Sequence, residues 1–205
     1  MADASGTNER RVGRMREVLG RRLAHVHCAV EAVYHRHNVS AILRTCDALG
    51  VHVVHLVAAS EVRVSRGPAR GAERWLDVRH HADAASALAA LRAEGVGVWV
   101  ADLAERSVPP EAVPLDRPVC LWFGAELVGV SDVARAAADG VVTIPMLGMA
   151  QSLNVSVAAA LALRAVADRA RARGRPAHLP DDVVAQTLAG WIARDEAVAE
   201  RIVAR

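Results

Sequence analysis

The chain has 205 residues, 53% of them hydrophobic, which is enough for one domain with a sizeable core and helical appendages. Its formal net charge is only +2, yet all 25 basic residues are arginine, so every side-chain cation is a bidentate phosphate donor. No stretch approaches the roughly 18 uninterrupted apolar residues of a membrane span, and "MADASGTNERRVGRM" carries no apolar leader; a cytoplasmic protein with no membrane partner is expected. Cys28, Cys46 and Cys120 lie too far apart for a CxxC pair or a disulfide framework, so buried thiols and no metal site are expected.

In chain order, residues 8–24 predict a polar, basic helix, and "HCAVEAV" (27–33) a strand. "NVSAILRTCDALG" predicts a helix with Asn38 as N-cap and Gly50 as its stop. "VHVVHLVA" is the next strand, and residues 60–76, rich in Arg and Gly without a period, predict a mobile loop or broken helix. A helix at "DAASALAALRAEG", a strand at "VGVWVAD", a Pro-containing connection and a strand at "PVCLWFG" follow. "SDVARAAA" is a short helix and "GVVTIPM" a last strand. An Ala-rich helix spans about 155–172, and a final helix, about 181–203, follows Pro180 with Asp181 and Asp182 in its first turn.

Strands alternating with helices predict an α/β fold, a mostly parallel sheet with helices on both faces. A dinucleotide-binding variant fits poorly: the turn after the first strand, "YHRHNVS", has no glycine to let backbone approach a pyrophosphate, and no Walker A sequence occurs. Glycines gather late instead, at "FGAELVGVS" and "MLGMAQS", which are the loops for a ligand.

Arginines cluster in three places: Arg10, Arg11, Arg14, Arg16, Arg21 and Arg22 near the start; Arg63, Arg66, Arg70, Arg74 and Arg79 in the middle; Arg164, Arg169, Arg171, Arg173 and Arg175 late. Solvated helix faces explain any one run; an anionic polymer explains all three. On the helix after Asn38, a 100° step gives an apolar stripe of Val39, Ile42, Leu43, Cys46 and Leu49, with Ser40, Arg44 and Asp47 opposite. That face is either solvated or, with the helix start, a holder for a phosphate or developing oxyanion. Glu126 follows the strand end at "FGAE", where open α/β sheets place ligands. In "IPMLGMAQSLNVSVAAALAL" (144–163), Gln151, Ser152, Asn154 and Ser156 interrupt an apolar run. Ser152 or Asn154 can cap the helix, but one cap cannot use all four.

Three of these stretches in this order, "NVSAILRTCDALGV", "LWFGAELVGVSD" and "IPMLGMAQSLNVSVAAALAL", resemble the three motifs of the SpoU (TrmH) group of SPOUT RNA 2′-O-ribose methyltransferases, and most closely its tRNA guanosine enzymes. The likeness covers nearly the whole chain. It implies a C-terminal trefoil knot within about 120–165, a SPOUT domain at 25–172, and helical extensions at 1–24 and 173–205. It implies S-adenosylmethionine held through Ala101, Gly124, Ile144 and Leu153, with Asn38, Arg44, Glu126, Ser152 and Asn154 around the methyl donor and target ribose. Ser152 and Asn154 would then be buried beside cofactor and partner chain.

The implied partners are tRNA, modified at the D-loop guanosine of position 18, and a second copy of the chain, with helix 155–172 in the interface. Arg10, Arg11, Arg14, Arg22, Arg171 and Arg173 are the candidate RNA contacts. Two departures bear on the RNA footprint: Leu127 and Val128 stand where the family often has a basic and then an aromatic residue, and "RGPARGAERW" is richer in Arg than usual. Ribosomal RNA as substrate, or a non-catalytic RNA-binding module, are the alternatives; the short stretch before Asn38 and the basic terminal helices favour tRNA.

Overall fold

The computed structural model describes residues 4–33, 35–58, 71–125 and 128–203. The chain divides into two compact units, Leu23–Ala177 and a second made of Met1–Arg22 with His178–Arg205.

Among the described residues of the larger unit, seven strands form one sheet in the order β3-β2-β1-β6-β4-β7-β5, every pairing parallel. They are β1 (Leu23–Glu31), β2 (Val51–Val57), β3 (Asp77–His81), β4 (Gly97–Ala101), β5 (Ser107–Val108), β6 (Val119–Phe123) and β7 (Gly140–Val142). The helices of this unit are α2 (Arg36–Leu49), α3 (Ala84–Ala93) and α4 (Asp132–Ala137) between strands, and α5 (Val155–Ala172) after the last strand. β2 and β6 are buried along their whole length and β1 at all but Ala24, so they read as largely apolar runs, broken in β1 and β2 by buried histidines. Side-chain alternation then sorts β1 into two cores. Val26, Cys28 and Val30 pack with Ile42, Leu43 and Cys46 of α2 and Leu163 and Val166 of α5. Ala29, on the opposite face, packs with Trp122, Leu88 and Leu91 of α3, and Ala134 of α4.

Helix α2 differs from its expected start. His35 occupies the N-cap position without a side-chain bond, and Asn38 lies inside the first turn, buried. Gly50 does end the helix, left-handed at φ 74°, its N–H bonding to the carbonyls of Asp47 and Cys46. The apolar stripe is as expected, but Ser40 is buried rather than on a solvated face; Arg44 is exposed and Asp47 half-buried. α3 starts on a capping box: Asp83 accepts from the Ser86 N–H at 2.8 Å while the Ser86 hydroxyl faces the Asp83 N–H.

Strands β3 and β5 were not legible in the sequence. β3, "DVRHH", is half-buried and flanks the sheet, so it lacks the apolar run of its neighbours. β5 is two residues long. Of the middle loop expected at 60–76, positions 60–70 lie outside the described residues and Glu73–Trp75 is one 3-10 turn.

The smaller unit carries α1 (Ala4–Leu19) and α6 (Asp181–Val203). Met15, Leu19, Leu179 and Trp191 are buried. Arg11 forms a two-pronged ion pair with Asp195, its second nitrogen at 2.6 Å. Arg22 is 0% exposed, its guanidinium 5.8 Å from the Trp191 ring centroid. Arg22 therefore serves the packing of this unit and is not a surface phosphate contact, which corrects its place among the RNA candidates. Among the described residues, no helix is long and apolar enough to cross a membrane, and no group of three or more His, Cys, Asp or Glu is placed to hold a metal ion.

Candidate functional site

A cavity of about 150 Å³ opens where β4, β6 and β7 end and α5 begins. Parallel strands all point their carboxyl ends the same way, so the loops leaving them converge at one rim. Its apolar lining includes Ala101, Phe123, Val142, Ile144 and Leu153, with Ala158 and Ala162 from the first turns of α5. Asp102, Thr143, Gln151 and Ser152 supply polar groups.

The loop tying this rim together is held by backbone and side chain alike. The Thr143 hydroxyl donates to the Asp102 carbonyl, and the Asp102 N–H to the Val142 carbonyl at 3.2 Å. Arg135 of α4 pairs with the Asp102 carboxylate and also donates to the Val130 carbonyl at 3.3 Å. Gly124 is required by close approach: a Cβ there would sit 2.1 Å from the carbonyl carbon and oxygen of Gly129 and 2.3 Å from the Val130 nitrogen. The loop folds back at this point through paired bonds between Ala125 and Gly129, at 3.1 and 2.8 Å.

The polar cluster in 151–156 resolves into two pairs. Asn154 is the N-cap of α5: its Oδ1 accepts from the Ser156 N–H at 2.9 Å and from the Ser156 hydroxyl at 2.6 Å. Its amide nitrogen donates to Oδ1 of Asn38 at 3.4 Å, joining the first and third motifs. Gln151 and Ser152 face the cavity instead. In this single chain Ser152 and Asn154 are exposed, not buried. Beside them Leu147 and Met149 are 98% and 100% exposed, and Val157 and Leu161 point outward from α5.

Of the candidate residues, the fold thus brings Ala101, Ile144, Ser152 and Leu153 to one cavity, with Gly124 at the adjoining turn and Asn38 against Asn154. Arg44 stands on the exposed side of α2. Glu126 and Leu127 lie outside the described residues, and Val128 is exposed. Arg10 and Arg173 are exposed; Arg14 pairs with Glu17 at 2.6 Å, and Arg171 with Asp168 at 3.1 Å and with the Leu49 carbonyl. Sequence reasoning missed Asp102 and Thr143, which follow strand ends, and Glu31, whose one signal was a lone carboxylate in an apolar strand.

The SpoU rRNA Methylase family pattern matches residues 25–164. The chain is 41% identical over 157 residues to the tRNA (guanosine(18)-2′-O)-methyltransferase of Escherichia coli, across 76% of this chain and 69% of that one. It is 40% identical over 191 residues to the protein of that name from Thermus thermophilus, across 91% and 97%. The crystal structure of the Aquifex aeolicus TrmH/SpoU tRNA modifying enzyme superposes with a TM-score of 0.83 at 32% identity, covering 92% of this chain and 98% of that one.

Proposed function

The chain belongs to the SpoU rRNA Methylase family, and from that premise we infer that it methylates a ribose 2′-oxygen in tRNA, at the D-loop guanosine of position 18, using S-adenosylmethionine in the cytoplasm. The observation that carries the site is the Asn38–Asn154 bond beside the rim cavity, because it joins two motifs far apart in sequence at one opening.

The chemistry of the lining fits the cofactor: apolar walls for a purine, with polar groups on Asp102, Thr143, Gln151 and Ser152 for hydroxyl and amino groups. When bound, S-adenosylmethionine supplies an electrophilic methyl group and leaves as S-adenosylhomocysteine. Ala101, Ile144 and Leu153 line its place, and Gly124 keeps the neighbouring turn tight. Asn38, Ser152 and Asn154 orient the ribose, and Glu126 is assigned to the same group by its motif. Much of the rate then comes from positioning. Arg44 holds the target phosphate and steadies the developing 2′-oxyanion. A guanidinium, with a pKa above about 12, keeps its proton, so the hydroxyl proton leaves to another acceptor.

The outward apolar face of Leu147, Met149, Val157 and Leu161 is covered by a second copy of the chain, giving a homodimer in which Ser152 and Asn154 become enclosed. Arginines of the terminal unit and the end of α5, Arg10, Arg11, Arg14, Arg171 and Arg173, contact tRNA. The segment from β6 to α5 forms the trefoil knot.

The deciding experiment is transfer of labelled methyl groups to unmodified tRNA, to a transcript with the D-loop guanosine replaced, and to ribosomal RNA. Labelling that vanishes with the replaced guanosine is the expected outcome. Labelling of ribosomal RNA alone overturns the substrate, and labelling of neither overturns the activity.

A further inference from the structure

Glu31 ends β1 and is 8% exposed, a carboxyl group in an otherwise apolar setting. One of its oxygens, Oε2, accepts from the Trp122 indole N–H at 2.8 Å and from the Ser131 backbone N–H at 3.1 Å. Those donors stand on either side of the turn that starts at Gly124: Trp122 is in β6, just before it, and Ser131 follows it as N-cap of α4, its hydroxyl accepting from the Ala134 N–H at 3.2 Å. A single oxygen atom therefore holds both feet of that turn.

Satisfying the indole alone does not account for this. A Phe at position 122 would leave no N–H to satisfy, and burying a polar pair in a core is at best near neutral compared with apolar residues of similar shape. The location of Glu31 supplies the other half. Ala32, immediately after it, has φ 51°, a left-handed conformation uncommon outside glycine, and the chain then runs to the start of α2 and Asn38. Glu31 thus sits where the segment leading to Asn38 and the turn carrying Gly124 diverge.

We propose that Glu31 is a positioning residue: through Trp122 and Ser131 it fixes the Gly124 turn against the start of α2, and so keeps the rim cavity aligned with Asn38. The role rests on the methyltransferase reading above; Glu31 itself does not line the rim cavity. A displacement on the order of 1 Å in a reacting group can cost about 100-fold in rate, which is the size of effect at stake.

The test compares E31Q, E31L, W122F and E31L/W122F in the full-length chain. Glutamine keeps an acceptor oxygen; leucine does not. W122F keeps the Ser131 bond, and the double variant removes acceptor and indole together, leaving no buried indole N–H without a partner. Three readouts are taken: hydrogen exchange of the Ser131 amide without cofactor, the melting temperature, and kcat and KM for tRNA methylation. The expected result is that E31L and E31L/W122F lose Ser131 protection and fall about 100-fold in kcat, with KM for tRNA little changed, while E31Q and W122F stay close to wild type.

Wild-type kcat in the folded E31L/W122F chain overturns the proposal, as does an equal fall in E31Q and E31L that tracks melting temperature. Ser131 exchange is read without cofactor, so it reports the tie separately. A wild-type chain that neither binds S-adenosylmethionine nor methylates RNA would overturn the methyltransferase reading, and the positioning role with it, by its own arm.

Discussion

The amide nitrogen of Asn154 donates to Oδ1 of Asn38 across 3.4 Å, linking residues 116 positions apart while the other end of the same side chain caps α5. One side chain thus stabilises a helix and joins two motifs, and the two tasks are separable. N154A should cost about 1 kcal/mol through the lost cap. N154S keeps a capping hydroxyl but is too short to reach Asn38, so it should retain most of the melting temperature and lose methyl transfer. Wild-type transfer by N154S would show that the link is dispensable.

The Gly124 turn gives a steric prediction. In G124A the new methyl carbon meets the Gly129 and Val130 backbone at 2.1–2.3 Å, and backbone cannot swing aside. A loss of about 1–3 kcal/mol or more is expected, with loss of cofactor binding. G148A is the control, since nothing lies within 4 Å of its Cβ position. Equal melting curves for the two variants would contradict the tight-turn account.

A histidine ladder crosses one face of the sheet: His27 Nδ1 faces His55 Nε2 at 3.2 Å, and His55 Nδ1 faces His81 Nε2 at 2.9 Å. Burial, then the nearby Arg79 cation, pushes His27 down to about 4. Burial, then His27, His81 and Arg79, pushes His55 down to about 3. Glu94 and Asp77 oppose the fall at His27. Since both histidines bind protons more weakly when folded than unfolded, their contribution to stability is fully present above about pH 6.5 and is lost as pH falls toward 3–4. At about 1.4 kcal/mol per pKa unit, the effect is on the order of a few kcal/mol. Denaturant midpoints between pH 7 and 4 should fall steeply in the wild type and less steeply in H55Q, which keeps hydrogen-bonding groups but does not titrate.

The outward face of α5 tests the assembly. L161R places a cation on the outward side of α5, where Val157 and Leu161 are exposed, as Leu147 and Met149 are in the preceding loop. Sedimentation should show a dimer in the wild type and a monomer in L161R, with methyl transfer lost together with the dimer. A wild-type chain that sediments as a monomer at micromolar concentration would remove this interface.

Arg173 and Arg22 should behave oppositely despite sharing a residue type. R173A removes an exposed cation and should lower the slope of log affinity for tRNA against log salt by about 1. R22A empties a fully buried position beside Trp191 and should cost about 1–3 kcal/mol of stability with the salt slope unchanged. A changed slope in R22A would return that residue to the RNA surface.

Helix extents were legible where local signals are strong. The ranges read for the last two long helices, 155–172 and 181–203, are those of α5 and α6, because Ala-rich periodicity, caps and Pro180 act within a few residues. The alternation of apolar strand and amphipathic helix, a repeat-by-repeat property, announced a parallel sheet, and the three long motifs announced the family. Local pattern also marked "FGAELVGVS" and "MLGMAQS" as the loops for a ligand, and Gln151 and Ser152 of the second do line the cavity.

Tertiary structure decided what depends on partners distant in sequence. β3 is a strand because β2 offers it a ladder, not because "DVRHH" has strand character. Asn38 looked like a cap and is instead a buried acceptor for Asn154; Arg22 looked like a phosphate contact and is packed beside Trp191. Glu31 drew no reading from the sequence, and its hydrogen bonds come from donors 91 and 100 positions away. Hydrophobic period and capping are short-range and leave a mark on each segment. Burial of a polar group is set by whatever the fold brings to it, and a one-dimensional pattern holds no record of that neighbour.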